Sequence, residues 1–224
     1  KPSKLQPMKP IFDTLSETCS KEVTKAYSTS FATATRLLEP KIRTNIHNIY
    51  GFVRFADEIV DTFHDWDKAK MLDKFERDFY EAYEMGISLN PILNSFQRTV
   101  KAYNIDLELV HAFLTSMKMD LEKQNYVTRK EYETYIYGSA DVVGLMCLKV
   151  FVDGNNQMYE ELKSSAMSLG SAFQKVNFLR DFKDDVELLN RSYFPNVNLK
   201  SLSAQDKQDI INEIKEDFRK AHLG

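Results

Sequence analysis

Apolar residues recur at spacings of three and four along nearly the whole chain, and no stretch alternates apolar and polar positions long enough to predict a half-buried strand. This pattern predicts α-helices throughout. Asn90, Asp106 and Thr128 are expected to cap the starts of three helices, with Glu131 completing a capping box. Further helical segments are predicted at 11–38, 41–63, 68–85, 157–189 and 203–220.

Local residue chemistry predicts where these helices are interrupted. At 27–30, serine and threonine hydroxyls compete for backbone hydrogen bonds, so the first helix should break there. Pro40 should end that helical region, and Gly154 should separate the last long helices from the rest. The segment 68–85 is dense in acidic and basic pairs, which predicts a solvated outer face.

Composition favours a single globular domain over residues 1–224, because this length buries a sizeable core. Hydrophobic residues make up 43% and charged residues 28%, and the net charge of -3 is well mixed, so no nucleic-acid-binding face is expected. Cys19 and Cys147 lie far apart in apolar contexts, which predicts reduced thiols. Without a signal-peptide core or a membrane-length apolar run, we expect a cytoplasmic protein.

The first acidic segment, residues 50–61, carries polar side chains inside an otherwise apolar helix. Glu58 should point away from them, and the apolar neighbours should be largely buried. A polar stripe there requires a ligand or a partner, although an Arg54–Asp57 ion pair would also account for it. At about 100° per residue, a helix places four residues within about 60° of arc: Tyr50, Arg54, Asp57 and Asp61.

The second acidic segment, residues 174–185, repeats this arrangement. Its apolar flanks include Leu169, Phe173 and Val176, so the acids and amides lie on or beside a face that could form core. Two such helices in one chain favour a shared ligand. The polar residues that fall within about 80° of arc are Gln174, Asn177, Asp181 and Asp185.

Carboxylates at close range repel one another unless their pKa values rise or cations lie between them, and cations explain both segments. Oxygen ligands without histidine or cysteine partners indicate a hard ion that also binds substrate phosphates. The expected ion is Mg²⁺, with Mn²⁺ as a substitute. The four histidines lack ligand spacing. No glycine-rich phosphate loop or nucleophile elbow is present, which argues against nucleotide binding and serine hydrolysis.

Four motifs occur in order: Tyr-Ser-Thr-Ser-Phe at 27–31, Arg-x-x-Asp-Glu-x-x-Asp at 54–61, a tyrosine-rich, glycine-containing segment at 135–144, and Gln-x-x-Asn-x-x-Arg-Asp-x-x-x-Asp at 174–185, with Arg-Ser-Tyr-Phe-Pro following at 191–195. Together they resemble the motifs of the squalene/phytoene synthase family, the head-to-head trans-prenyltransferases. The resemblance covers about 12–195 and is closest to a bacterial phytoene synthase.

Three residues depart from the family pattern: relatives often have His, Lys and Gly where this chain has Tyr27, Thr29 and Asp141. Relatives also continue through more C-terminal helices than follow Phe194, so the resemblance predicts a chain that lacks its last helices. The expected fold is an all-α, isoprenoid-synthase-type bundle around a central apolar cavity.

The resemblance implies roles for individual residues. The catalytic set would be Asp57, Asp61, Asp181, Asp185 and Arg54. Asn177 would join the four aspartates as a ligand of the metal ions that bridge the substrate diphosphate. Residues expected to bind substrate are Ser28, Ser30, Tyr50, Arg54, Tyr135, Gln174 and Arg180.

The family reaction joins two prenyl diphosphates through a cyclopropyl diphosphate and releases diphosphate. Phytoene formation from geranylgeranyl diphosphate, a step of carotenoid biosynthesis, is the leading hypothesis, and it ends in proton loss, so NADPH is not expected. The ring faces of Tyr50, Tyr135 and Tyr137 would stabilise carbocations, although all three could equally be packing residues. Since such substrates exchange with a bilayer, peripheral contact with the inner membrane face is expected.

Three alternatives stay open. A squalene or dehydrosqualene synthase would use farnesyl diphosphate on the same motifs. A terpene cyclase or head-to-tail prenyltransferase also pairs acidic motifs with Mg²⁺, but the glutamine and asparagine of the second segment argue against it. In a non-catalytic helical scaffold, the acids would be surface charge and the aromatic residues core, and it would show no Mg²⁺-dependent affinity for diphosphate.

Overall fold

A computed structural model describes residues 8–122, 128–188, 194–195 and 203–224, with the backbone alone for 181–188. Within these ranges the chain forms ten α-helices and no strand, so the all-α prediction is confirmed. None of these helices is long and apolar enough to cross a membrane. The helices are α1 (Lys9–Tyr27), α2 (Thr29–Ala34), α3 (Pro40–Asp61), α4 (Lys68–Met85), α5 (Pro91–Ala102), α6 (Leu107–Glu122), α7 (Arg129–Ile136), α8 (Val142–Phe151), α9 (Asn156–Leu188) and α10 (Ala204–Ala221).

Side-chain caps start several helices at the predicted residues. The Asn90 side chain accepts hydrogen bonds from the backbone N–H groups of Ile92 and Leu93 at the start of α5. Thr128 and Glu131 form the expected capping box of α7. At the C-terminal end of α4, Gly86 adopts a left-handed backbone (φ 74°), which a glycine accommodates without strain.

The interruption near residue 28 is confirmed. Ser28 is extended (φ -148°, ψ 91°), and its side chain caps α2 by accepting a hydrogen bond from the Phe31 backbone N–H at 3.3 Å. The expected role of Pro40 is wrong. A 3-10 turn at Thr35–Leu37 ends the first helical region, and Pro40 instead begins α3, since proline suits the first helical position.

The chain divides into two compact units, Lys1–Ile105 and Asp106–Gly224, called unit 1 and unit 2. The prediction of one domain over 1–224 stays a prediction. In unit 1, α1 packs against α3 and α5, and α3 also packs against α4 and α5. The centre of this core is aromatic: the Phe52 ring lies 4.0 Å from Phe96, 5.3 Å from Phe75 and 5.5 Å from Phe79, measured between centroids.

In unit 2, α9 packs against α8 and α10 and against a π-helical turn at Tyr137–Asp141, which joins α7 to α8. Gly170 allows this close approach, because a β-carbon there would lie 3.0 Å from the Ala140 carbonyl oxygen. Cys19 in unit 1 and Cys147 in unit 2 are both free thiols. Buried side chains of α7, α9 and α10 form one core cluster with Phe194: Tyr132, Tyr135, Ile136, Phe178, Ile210 and Ile214.

Candidate functional site

The first acidic segment lies on α3, whose opposite side forms the core of unit 1. The expected burial is confirmed for Phe52, Ala56, Ile59 and Val60, whereas Val53 and Phe55 are half-buried. Asp57 and Arg54 are half-buried and Asp61 is exposed. The buried apolar residues of α3 occupy the side that faces the core, so the charged residues lie on the opposite side of the helix.

Glu58 does not point away from the polar stripe as expected. Its Oε2 accepts a hydrogen bond from Nη2 of Arg54 at 2.5 Å, because positions four apart adjoin on a helix surface. Burial alone would lower the pKa of Arg54, but the hydrogen bond to Glu58 and the charges of Asp57 and Glu58 raise it. Arg54 is therefore a fixed positive charge beside the Asp57 carboxylate.

A second contact holds Arg54 from another helix. The guanidinium carbon lies 4.5 Å from the centroid of the Tyr27 ring, at the last residue of α1. Nε of Arg54 is buried and has no hydrogen-bond partner within the described part of the chain. Sequence analysis missed this contact, since residues 27 apart give no periodic signal. The nearest available signal was an aromatic residue placed directly before the break at Ser28.

Tyr50 connects the N-terminal motif to α3. Its ring stacks on Phe31 with centroids 5.1 Å apart, and the nearby Ser28 side chain acts to lower the pKa of its hydroxyl. Burial raises the pKa of Tyr50, so the phenol stays protonated at neutral pH. Ser30 is exposed on α2. Unit 1 thus places Ser28, Tyr50 and Arg54 in one neighbourhood. Their part in binding substrate stays a prediction.

The second acidic segment lies on α9 in unit 2, and therefore in a different unit from the first. Gln174 is half-buried and donates to the Ser139 hydroxyl at 3.2 Å, Asn177 is half-buried, and Arg180 is exposed. The helical backbone continues through Asp181 and Asp185, but their side chains lie outside the described residues. Residues 191–193, from the motif that follows, also lie outside the described residues.

Three apolar residues that flank the second segment do not form core, whereas Leu179 packs against the core cluster of unit 2. Phe173 is 56% exposed, and Leu169 and Val176 are also exposed. Phe173 meets the edge of Phe218 from α10 at a centroid distance of 5.7 Å. Lys175, in contrast, is buried, and its ammonium group lies 2.5 Å from Glu213 and 2.6 Å from Asp217, so ion pairs add to the contacts between α9 and α10.

Tyr135 is buried and packs within the core of unit 2. Its ring stacks on Phe178 with centroids 5.8 Å apart, and its hydroxyl donates to Oδ2 of Asp120 at 2.6 Å. Tyr135 thus packs in this core, whereas Tyr137 is partly exposed. A role of either residue in binding substrate or a carbocation stays a prediction. Sequence analysis missed Asp120, although a single acid on the apolar face of α6 was the signal available.

Asp141 ends the π-helical turn and is only 7% exposed. Its Oδ1 accepts a hydrogen bond from the Ser171 hydroxyl at 2.6 Å. Burial raises the pKa of the Asp141 carboxyl to about 6, and the Ser171 hydrogen bond and the Lys175 charge only partly oppose this rise. The sequence showed Asp141 as a departure from the family pattern but did not show its burial.

The donor chemistry of α3 fits a hard divalent cation. Asp57 and Asp61 offer carboxylate oxygens about one turn apart, with no sulfur or imidazole nearby in the motif. Among the side chains that the structure describes, no group of three or more His, Cys, Asp or Glu is placed to hold a metal ion. The carboxylates of Asp181 and Asp185 lie outside that set.

Comparison with known proteins agrees with the fold and the motif order. A profile of the squalene/phytoene synthase family matches residues 24–221. Chloroplastic phytoene synthase from Daucus carota is 30% identical over 191 residues, which cover 80% of this chain and 45% of the relative. The corresponding enzyme of an Oncidium hybrid cultivar is 31% identical over 196 residues, covering 85% and 46%. The chain thus spans about half the length of these curated relatives.

Solved structures share the fold at lower sequence identity. A dehydrosqualene synthase crystallised with a ligand superimposes with a TM-score of 0.82 at 21% identity, over 96% of this chain and 78% of the other. A squalene synthase from Alicyclobacillus acidocaldarius gives 0.81 at 20% identity, over 95% and 84%. Because the family profile covers most of the chain and the helical fold agrees, the chain belongs to the squalene/phytoene synthase family.

Proposed function

We propose that this chain carries the diphosphate-binding segments of an Mg²⁺-dependent prenyltransferase that joins two prenyl diphosphates head to head. The observation that supports this most is the α3 surface, where Arg54, Asp57 and Asp61 lie opposite a fully packed core side. Family membership supplies the reaction class.

The proposed metal ligands are the carboxylates of both acidic segments and the amide of Asn177. Bound Mg²⁺ supplies Lewis-acid stabilisation of the departing diphosphate. Its preference for few carboxylates, water and phosphate oxygens matches a set of this type. The ligands proposed are Asp57, Asp61, Asn177, Asp181 and Asp185.

The remaining site residues bind and orient the diphosphate. When an allylic diphosphate ionises, negative charge moves to the departing oxygens, and the fixed charge of Arg54 stabilises that state more than the ground state. Arg180 adds a second positive charge. The hydroxyl groups of Ser28 and Ser30 and the amide of Gln174 donate hydrogen bonds, and the Tyr50 ring offers an electron-rich face to a carbocation.

We propose geranylgeranyl diphosphate as the substrate and phytoene as the product, with diphosphate released. The carrot and Oncidium relatives, both phytoene synthases, favour this choice. The final step is a proton loss that needs no NADPH. A second candidate, farnesyl diphosphate, is favoured by the fold likeness to dehydrosqualene and squalene synthases. Because these substrates partition into lipid, we expect peripheral contact with a bilayer.

The test is product analysis after incubation with Mg²⁺ and either diphosphate, with and without NADPH. We expect a C40 hydrocarbon from geranylgeranyl diphosphate, independent of NADPH and lost in both Asp57→Ala and Asp181→Ala. Asp78→Ala is the matched control, since Asp78 forms a surface pair with Lys74 at 2.7 Å and such pairs contribute little.

The alternative outcomes separate the hypotheses. A C30 product alone would replace phytoene synthesis by squalene or dehydrosqualene synthesis. If wild-type protein forms no hydrocarbon and shows no Mg²⁺-dependent affinity for inorganic diphosphate by calorimetry, the prenyltransferase proposal is overturned in favour of a helical scaffold.

A further inference from the structure

Tyr27 contacts the proposed diphosphate-binding arginine without belonging to any predicted set of site residues. It is the last residue of α1, and 46% of its surface is exposed although it is a large aromatic side chain. Its ring covers the Arg54 guanidinium at 4.5 Å. An aromatic ring over a cation attracts it through the ring's negative face, and Arg is a frequent partner of this type.

Two contacts of different origin act on the same guanidinium. Glu58 holds Nη2 from one turn further along α3, so this contact moves with the helix itself. Tyr27 approaches from α1 and therefore fixes the guanidinium relative to a second helix. Nε of Arg54 is buried and has no hydrogen-bond partner in the described residues, so no hydrogen bond at that atom fixes the guanidinium.

The same corner is held together by contacts that do not involve charge. Directly after Tyr27, Ser28 caps α2 by accepting from the Phe31 backbone N–H, and the Phe31 ring stacks on the Tyr50 ring. The backbone that presents Tyr27 to α3 is thus set by its neighbours. Loss of the Tyr27 ring would leave this attachment of α2 intact, which allows the ring's role to be measured separately from folding.

We infer that Tyr27 is a positioning residue whose ring holds Arg54 in the orientation that binds a diphosphate group. The inference rests on the proposed function and deepens it, because it names what fixes the arginine. The aromatic face is the required feature, and the hydroxyl is not. Tyr27 acts through Arg54 and supplies no charge of its own to the anion.

The test titrates inorganic diphosphate with Mg²⁺ into wild-type protein and variants by isothermal calorimetry. Tyr27→Leu should weaken binding about three- to tenfold, the range expected for losing a partly desolvated cation–ring contact. Tyr27→Phe should restore affinity to within about twofold of wild type, because it keeps the ring. Thermal unfolding by circular dichroism should give similar midpoints for both variants.

Tyr83→Leu is the matched control. Tyr83 also carries a cation over its ring, with Nζ of Lys101 4.9 Å from the centroid, but it lies on α4, outside the proposed site. Its loss should leave diphosphate affinity within about twofold of wild type. In an Arg54→Met background, Tyr27→Leu should cause no further loss, since residues that act through one another are non-additive.

Each contrary result identifies what fails. Wild-type protein without Mg²⁺-dependent diphosphate binding would overturn the proposed function and this inference with it. Wild-type binding that Tyr27→Leu leaves unchanged would overturn the inference alone. A Tyr27→Phe variant as weak as Tyr27→Leu would assign the effect to the hydroxyl, and a full additional loss in the Arg54→Met background would show that Tyr27 acts independently of Arg54. Either result also refutes the inference.

Discussion

The two acidic segments have similar residue patterns in the sequence, but the helices that carry them differ in how they pack. On α3 the side opposite the charges is core, and Arg54 is held by Tyr27 and Glu58 within unit 1. On α9 the apolar flank of Leu169 and Phe173 is exposed, whereas Lys175 is buried among carboxylates of α10. The first segment is therefore supported by apolar packing, whereas on α9 ion pairs accompany the apolar contacts of Phe178.

The largest expected effect comes from the core behind the first segment. Phe52→Ala should lower the free energy of unfolding by about 4 kcal/mol, because it removes a fully buried ring that contacts Phe75, Phe79 and Phe96. Urea denaturation followed by circular dichroism measures it.

Phe173→Ala is the matched change on α9. It should cost about 1 kcal/mol or less, since it removes mainly an exposed ring and one edge contact with Phe218. Equal losses for the two phenylalanines would contradict the proposed difference and would show that the α9 flank is covered in solution.

The second prediction concerns the charges that support α9. Lys175→Met should lower the free energy of unfolding by about 3 kcal/mol, because it leaves the Glu213 and Asp217 carboxylates without their buried counter-ion. Burial alone would raise the pKa of Glu213, but its hydrogen bonds with Arg129 and Lys175 lower it below its usual 4.5. The Glu213 contribution is therefore present above about pH 4.5 and is lost as pH falls below that value.

Lys74→Met provides the comparison, since it breaks an exposed pair with Asp78 on α4. Its expected cost is below about 0.5 kcal/mol. Thermal unfolding of both methionine variants at neutral pH measures the difference. A Lys175→Met variant as stable as wild type would mean that apolar contacts of the new side chain replace the ion pairs.

These differences show how far the sequence could predict the fold and the site. The bounds of α4 at Lys68–Met85 and the cap at Asn90 followed from residue spacing and local hydrogen-bonding chemistry alone. Periodicity identifies an apolar face but not what covers it, so the exposure of Phe173 could not be predicted. The π-helical turn and the contact between Tyr27 and Arg54 depend on which helices meet, and that information is absent from any local window.

The third prediction uses the buried carboxyl of the π-helical turn, where α9 meets Asp141. Because burial raises its pKa from 3.8 to about 6, the folded state holds a proton more tightly than the unfolded state. Its contribution to stability is therefore full below about pH 4 and falls by about 2–3 kcal/mol as pH rises past about 6. Two charged groups act on this carboxyl: Lys175 opposes the rise in its pKa, and Asp217 adds to it.

Asp141→Asn removes this titration. The variant should match wild type near pH 4 and exceed its unfolding free energy by about 2–3 kcal/mol near pH 7. Urea unfolding at the two pH values measures the difference. Ser171→Ala is the control, since it deletes the hydrogen bond but keeps the titrating group. A pH-independent difference between Asp141→Asn and wild type would show that the carboxyl is not buried in solution.

The smallest expected effect concerns the attachment of α2 to the first segment. Ser28→Ala should cost about 1 kcal/mol, because it removes the side-chain cap of α2. Ser30→Ala, two residues further along at an exposed position, should leave the free energy of unfolding almost unchanged. Hydrogen exchange of the α2 amides reports the change locally, and protection should fall there while α9 amides stay unaffected. Equal exchange in the two variants would mean that the stacking of Phe31 on Tyr50 alone holds α2 on α3, and the polar half of this corner would then be free to bind substrate without a cost in stability.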